Sequence, residues 1–428
     1  MVLRRSFQRH IPALWRLAAD RSGNVALIAA AAFPLLIGAA GLAVDGVHWV
    51  LQKREVQAAT DAAAMAGVYG LIADGDMQNA VNSSLTKGGG VPDNASIQAI
   101  ESPPGHEADP FAVTVRVTIP AKTTFASMFM KTVPTITAEA TASVVENGKY
   151  CSFALGDMDD DAGVVVRPNS KVDMECGVTT NATGAKAIQA DSSSSLKAAD
   201  IRAYGGIDMT SISGSRTRAH ALAQEDPLAN SDPPQVPNTG CPQITANPDA
   251  ANLTGGKLVL EPGCYATMYL NGPVFLQDGE YILNKGNFVV GPQGHVECSA
   301  CTIFLTSETA GTDGASIGKV KISSDATVKM HATREGPNQG ILFYQDRHAA
   351  RDLPGDENHI GGGSFTELEG LIYFPSETVY VDGNMSPNLQ CTRFIARRLI
   401  FAGTVYVSKS CDGLDKVTFM ATEVRLLS

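Results

Sequence analysis

Residues 25–44 read VALIAAAAFPLLIGAAGLAV, twenty positions without a charged or strongly polar side chain. As a helix such a run is about 30 Å long, the thickness of a bilayer's hydrocarbon core. Pro34 removes one helical N–H, which bilayer-embedded helices tolerate. Before the run, residues 1–24 hold Arg4, Arg5, Arg9, Arg16 and Arg21 against Asp20 alone, a charge of +4. The whole chain carries −11, so everything after residue 24 carries −15. An arginine-rich flank predicts an N-terminus held in the cytoplasm and a long C-terminal part carried across. The lipid bilayer is therefore the first expected partner. Nucleic acid is not expected, because no basic excess is left to neutralise phosphates. A cleaved secretory signal is the rival reading. Its apolar stretch is normally about 7–15 residues, although Ala39, Ala40, Gly41 and Ala43 would offer a small-residue cleavage site.

Helical character continues past the run. Residues 45–72 are rich in good helix formers. Val47, Val50, Leu51, Ala58, Ala62, Met65, Ala66 and Tyr69 recur at steps of three, four or seven, which predicts one apolar stripe. Trp49 stands where an interfacial aromatic belongs. Residues 73–92 read as a polar loop ending in Gly88-Gly89-Gly90, and 95–101 as a strand. Phe111, Val113, Val115, Val117 and Ile119 alternate and predict a strand with one buried face. Residues 124–131 read as a short helix and 133–145 as a further strand. The expected organisation is a basic leader at 1–24, a transmembrane helix at 25–44 and a small α+β domain at 45–147.

From 150 to 428 the pattern changes to short apolar triplets split by Gly, Asn, Asp and Pro, such as Val164-Val165-Val166, Phe288-Val289-Val290 and Val405-Tyr406-Val407. Strands so short suit the coils of a right-handed parallel β-helix, with a β-sandwich as the alternative. Turns between coils are expected at Gly272, Gly279, Gly286, Gly291, Asn284 and Asn287, residues that tolerate positive φ. Residues 222–252 hold six prolines and form a long excursion. The fold class is thus mixed: a membrane helix, a small α+β domain and a β-rich C-terminal region.

The eight cysteines, Cys151, Cys176, Cys241, Cys264, Cys298, Cys301, Cys391 and Cys411, all lie in the part expected to be exported. An even count there reads as disulfides. Sequence neighbours are the simplest of the 105 pairings: 151 with 176, 241 with 264, 298 with 301, and 391 with 411. Cys298-Ser-Ala-Cys301 lacks the helix-opening context of a redox motif and the two further ligands of a zinc site.

Catalytic chemistry is weakly signalled. Asp157, Asp159, Asp160 and Asp161 crowd one loop, but no Glu follows at calcium-loop spacing. Asp191-Ser-Ser-Ser-Ser195 spells a metal-adhesion signature without the apolar strand that should precede it. A carbohydrate-active reading would draw on His331, Arg334, Asp346, Arg347, His348, Asp352 and His359, with Tyr344, Tyr373, Phe374 and Tyr380 for sugar stacking. Their spacing demands no mechanism, and no G-x-S-x-G, H-E-x-x-H or phosphate-binding glycine motif occurs. No enzyme activity, cofactor or metal is expected.

Arg21-Ser-Gly-Asn-Val-Ala, the Ala/Pro/Gly-rich run, Gly41-Leu-Ala-Val-Asp45 and Gln57-Ala-Ala-Thr-Asp61-Ala-Ala-Ala-Met-Ala-Gly67 together resemble the N-terminal region of TadG-like Flp pilus-assembly proteins of bacterial tight-adherence systems. Thr124-Phe-Ala-Ser-Met-Phe129 and Thr137-Ala-Glu-Ala-Thr-Ala142 extend the resemblance, which covers about residues 15–147. It implies a single-pass inner-membrane protein with a periplasmic body, accessory to a type IVb pilus, whose partners are other pilus-assembly or envelope proteins. Many such proteins carry a von Willebrand A domain after this region, and this sequence departs from them there. Prepilin-like relatives place a Glu five residues after the processed Gly. Here Gly23 has Ile28 at that offset, which predicts no such processing. A surface adhesin, released by cleavage, is the alternative to an anchored protein.

Overall fold

The computed structural model describes residues 24–427 except 74, 89–90, 129, 157–161, 238–239, 247–255, 312–315, 352, 364–365, 390 and 409–418. The chain forms two compact units, one of Met1–Val145 with Val424–Ser428, the other of Glu146–Glu423. The last five residues fall within the stretch expected to be β-rich. They count with the first unit, where Leu427 N donates to Thr141 O at 2.8 Å.

In the first unit one helix, α1 (Asn24–Ala73), carries the apolar run and its continuation without a break, with Pro34 inside it. A second helix, α2 (Met77–Lys87), occupies what reads as a polar loop. Two signals outweigh its composition. Asp76 caps it by accepting from Asn79 N at 2.9 Å, and Val81 and Leu85, one turn apart, are buried. The two helices approach closely because α1 has glycine at the contact. A Cβ on Gly70 would lie 2.6 Å from that of Ala80, and one on Gly67 would lie 3.0 Å from Val81.

Three antiparallel strands follow: β1 (Ser96–Glu101), β2 (Val113–Pro120) and β3 (Thr135–Ala154). Ile97 registers with Val117, and Ile119 with Ile136. Val113, Val115, Val117 and Ile119 are buried, whereas Phe111, expected on the same face, is exposed and precedes the strand. Among the described residues of 124–131, where a short helix is expected, Ala126–Met128 forms a 3-10 turn. The face that α1 buries also differs from the predicted stripe. Val56, Thr60, Ala63, Ala64 and Val68 are fully buried, while Val47, Val50, Leu51 and Tyr69 are exposed. Small residues let a helix lie close to a sheet, and a reading weighted by hydrophobicity passes over them.

The second unit is built from short strands in parallel ladders, mostly linking each strand to the third one after it. In one ladder Val274 registers with Val296, Val296 with Val328 and Val328 with Thr366. In the next, Ile282 registers with Phe304, Phe304 with Tyr344, Tyr344 with Tyr373 and Tyr373 with Ile395. Alternate residues point inward, so Val274, Val296, Val328, Leu283, Ile303, Leu305, Phe343, Ile372 and Phe394 share one buried core. Steps in the second ladder range from 22 residues, Ile282 to Phe304, to 40, Phe304 to Tyr344, which hides the repeat from the sequence. Of the expected turn residues, Gly279 has positive φ (144°). Asn284 and Asn287 act otherwise, accepting through Oδ1 from Glu308 N and Lys319 N of the following turn. Gly286 is needed for space, since a Cβ there would lie 1.3 Å from Ala266 O.

Order in space is not order along the chain. Phe394 registers with Ser152, Leu399 with Val164 and Thr404 with Lys171, all in parallel. The earliest strands of the unit therefore continue the ladders after the latest ones, and Ile212–Arg218 pairs beyond them on Ser195–Ala203. The chain must then return to the other end of the ladders, where Gln243–Ala246 pairs with Thr267–Leu270. The proline-rich excursion makes that journey. Gln224 N donates to Asn181 Oδ1, Tyr373 Oη donates to Asp226 Oδ2 at 2.6 Å, and Arg347 Nη2 donates to Leu228 O.

Candidate functional site

The chemistry-bearing candidates of the sequence fall into separate groups, each closed on its own partners. His331 lies 3.2 Å from Glu367 and 3.7 Å from Glu369, and Arg334 reaches the same Glu369 at 2.7 Å. Asp346 holds His348 Nδ1 at 2.8 Å and accepts from Thr306 Oγ1. Arg347 bonds the excursion at Leu228 and Ser231. His359 faces Asp382 at 3.0 Å, and this partner holds the Asp382 carboxyl below its ordinary range. Asp352 lies outside the described residues, as do Asp157, Asp159, Asp160 and Asp161. Asp191 closes a turn on itself, accepting from Ser193 N and Ser193 Oγ. Among the described residues no three His, Cys, Asp or Glu side chains are grouped to hold a metal ion.

The aromatics proposed for sugar stacking divide in the same way. Phe374 belongs to the inner core, and Tyr380 packs on Val165 and Ile400. Tyr344 and Tyr373 form, with Phe153, Phe304 and Ile395, an outer stripe that the chain itself covers with Leu228 and Phe419. Burial raises the Tyr344 hydroxyl to about 12 and Tyr373 further, with Asp226 adding to the latter.

Disulfides join Cys151 to Cys176, Cys241 to Cys264 and Cys298 to Cys301. Cys391 is disulfide-bonded too, and Cys411 lies outside the described residues.

Two buried polar clusters carry no sequence signal. Arg202 lies between Asp200 (3.1 Å) and Glu423 (2.8 Å), with Arg216 and Arg218 closing the outer side of those carboxylates and the Tyr150 ring 5.6 Å from the guanidinium. Glu377 accepts from Gln345 Nε2 at 2.7 Å and Asn358 Nδ2 at 2.6 Å and pairs with Lys319 at 3.1 Å. Burial raises the Glu377 carboxyl nonetheless. Both clusters pair charged groups that the ladders enclose, while Asp200 Oδ1 and Gln345 Oε1 are buried without a hydrogen-bond partner among the described residues.

The most constructed feature lies on α1, where the apolar run ends. Asp45 is fully buried, and its carboxylate accepts from three successive backbone N–H groups: Thr124 at 3.0 Å, Phe125 at 2.8 Å and Ala126 at 2.5 Å. Burial pushes this carboxyl up, and the three donors outweigh it to leave the group below its ordinary range. One turn earlier Gly41 makes room for Phe125, whose Cγ would lie 2.5 Å from a Cβ at that position. Further on, Trp49 Nε1 donates to Lys122 O and Gln52 Oε1 accepts from Lys122 N, both at 2.9 Å. Lys53 Nζ donates to Thr137 O, and Gln57 Nε2 to Glu139 O at 2.9 Å. Every one of these bonds joins a helix side chain to backbone. The helix thus holds the backbone at 122, 124–126, 137 and 139. A lone carboxylate directly after an apolar run was the signal available for Asp45.

One helix among the described residues, Ile28–Ala73, is long and apolar enough to cross a membrane. No curated protein and no solved structure matches the chain. Residues 23–73, which supply this helix and every side chain of its bracket, match the family described as "Putative Flp pilus-assembly TadE/G-like".

Proposed function

We propose that this protein is a membrane-anchored, non-enzymatic accessory of Flp (type IVb) pilus or tight-adherence assembly. The carrying observation is the coincidence of the TadE/G-like match with α1, the helix apolar enough to span a bilayer. In this reading the chain passes the inner membrane once, with residues 1–24 cytoplasmic and the body periplasmic. The arginine flank supports that orientation, and the disulfides suit an oxidising compartment. The second unit is a right-handed parallel β-helix. Support comes from the parallel ladders, the inward alternation and the close passage of one turn over the next at Gly286. Its disulfide-braced surface is offered to pilus or envelope partners. The self-contained ion pairs around His331, Asp346 and His359 favour this role over carbohydrate chemistry.

Deletion of the gene tests the reading, scored for pilus filaments and surface attachment, with fractionation of a tagged protein alongside. Loss of attachment, restored by the full chain and not by one lacking residues 1–44, is the expected result. Normal pili and attachment would overturn it. A shortened, released product would replace the anchor with a cleaved adhesin.

A further inference from the structure

We propose that the turn at 122–128, with Met130 and Val133 beyond it, is a second membrane contact, whose apolar side chains enter the bilayer beside α1 on the side where Asp45 emerges. The proposal rests on α1 being the membrane anchor. Its first support is depth. Phe125 lies against Gly41, which is inside the apolar run and about 6 Å before Asp45 along the helix. A bilayer that encloses residues 25–44 therefore also reaches Phe125. Asp45 fixes this level, since its three backbone bonds keep the turn from sliding along the helix.

The stretch that follows Phe125 exposes three large apolar side chains. Met128 is 76% exposed, Val133 56% and Met130 43%. Lys122 and Lys131 are exposed on either side, where long basic side chains reach lipid phosphates from the interface. Trp49, bonded to Lys122 O, stands beside the same loop.

Hydrocarbon admits irregular backbone only where its polar groups are satisfied. Around Asp45 the turn meets that condition. Asp45 takes the N–H groups of 124, 125 and 126, Met128 N donates to Phe125 O, and Met130 N donates to Ala126 O. Ser127 Oγ donates to Thr124 O. A water-exposed loop has no need of such accounting. Lipid is the occupant that fits, because the exposed side chains continue the surface of the helix that lipid already surrounds.

The test uses the full chain in vesicles of phosphatidylethanolamine and phosphatidylglycerol. One environment-sensitive fluorophore is attached, without reductant, to a cysteine introduced by Met128→Cys, Ile37→Cys or Leu353→Cys. Ile37 reports the anchor, and Leu353, in the second unit, reports water. The expected result is a blue-shifted label at 128 that loses most of its emission to lipids spin-labelled high on the acyl chain. A label at 37 that is quenched beside one at 128 that behaves like 353 would overturn the loop contact and leave the anchor standing. A water-like label at 37 would remove the anchor, and this proposal with it. Gly41→Leu is the second variant. Its side chain displaces Phe125 without making the helix less apolar, so quenching at 128 should fall while quenching at 37 stays. Unchanged quenching at 128 would show that α1 does not seat the loop.

Discussion

The two units solve the same problem, holding a chain in place, with opposite means. In the first, side chains of one helix reach across to backbone, and neighbours in sequence are mostly neighbours in space. In the second, backbone meets backbone in parallel ladders, and partners such as Ser152 and Phe394 are far apart in sequence. A side-chain bracket can be undone locally, one residue at a time. A ladder is indifferent to most side chains and sensitive to volume, because its inner faces are closely packed.

The sharpest way to break this contrast is Phe394→Ala. Phe394 is fully buried, touches the ring of Phe401 with centroids 6.0 Å apart, and stands where the late strands meet the early ones. A loss of about 3–5 kcal/mol is expected, read by denaturation of the full chain with the second unit melting as one. A small loss confined to the neighbouring strands would mean that the early strands are stable without the seam. Arg202→Met comes next. It removes the cation between Asp200 and Glu423 and leaves two buried carboxylates, with an expected loss of about 3 kcal/mol. Arg202→Lys should recover part of it.

Asp45→Asn attacks the bracket and should act locally. Trypsin should cleave at Lys122 and Lys131 several-fold faster, while the second unit's unfolding stays unchanged. Acid should imitate the substitution. The folded carboxyl is held below its ordinary value, so its contribution is complete above the unfolded value of 3.8 and is lost as pH falls through the folded one. Protease sensitivity of the loop that rises instead between pH 6 and 8 would contradict the assignment. The smallest effect is expected at Arg116 and Glu139, a half-exposed pair at 2.6 Å across β2 and β3. Arg116→Ala should change stability by about 0–1 kcal/mol.

What was legible in the sequence follows the same division. The apolar run, the helix beyond it and the β2 alternation are local patterns, and each is where residue order placed it. The packed face of α1 was misread because Ala63, Ala64 and Gly67 carry little hydrophobic weight, although closeness to the sheet requires them. Helix α2 was missed because its evidence is a cap and two residues in a polar stretch. Parallel triplets were readable as strands, but their pairing was not, since turns of unequal length leave no period. The ion-pair clusters at Arg202 and Glu377 join residues that only the ladders bring together, and no spacing announces them.

The seam between Ser152 and Phe394 also bears on how such a chain comes to be folded. A ribosome delivers residues 152–218 long before residues 392–407. The first strands made therefore wait with an open parallel edge, while the surface that will cover it has yet to be synthesised. An open edge accepts any matching strand, and the nearest match in a crowded compartment is the late segment of another copy. Two chains exchanging those segments would each satisfy every ladder described above. Restraint against that exchange falls to the excursion that ties the two ends of one chain together, through Asp226 on Tyr373 and Leu228 on Arg347.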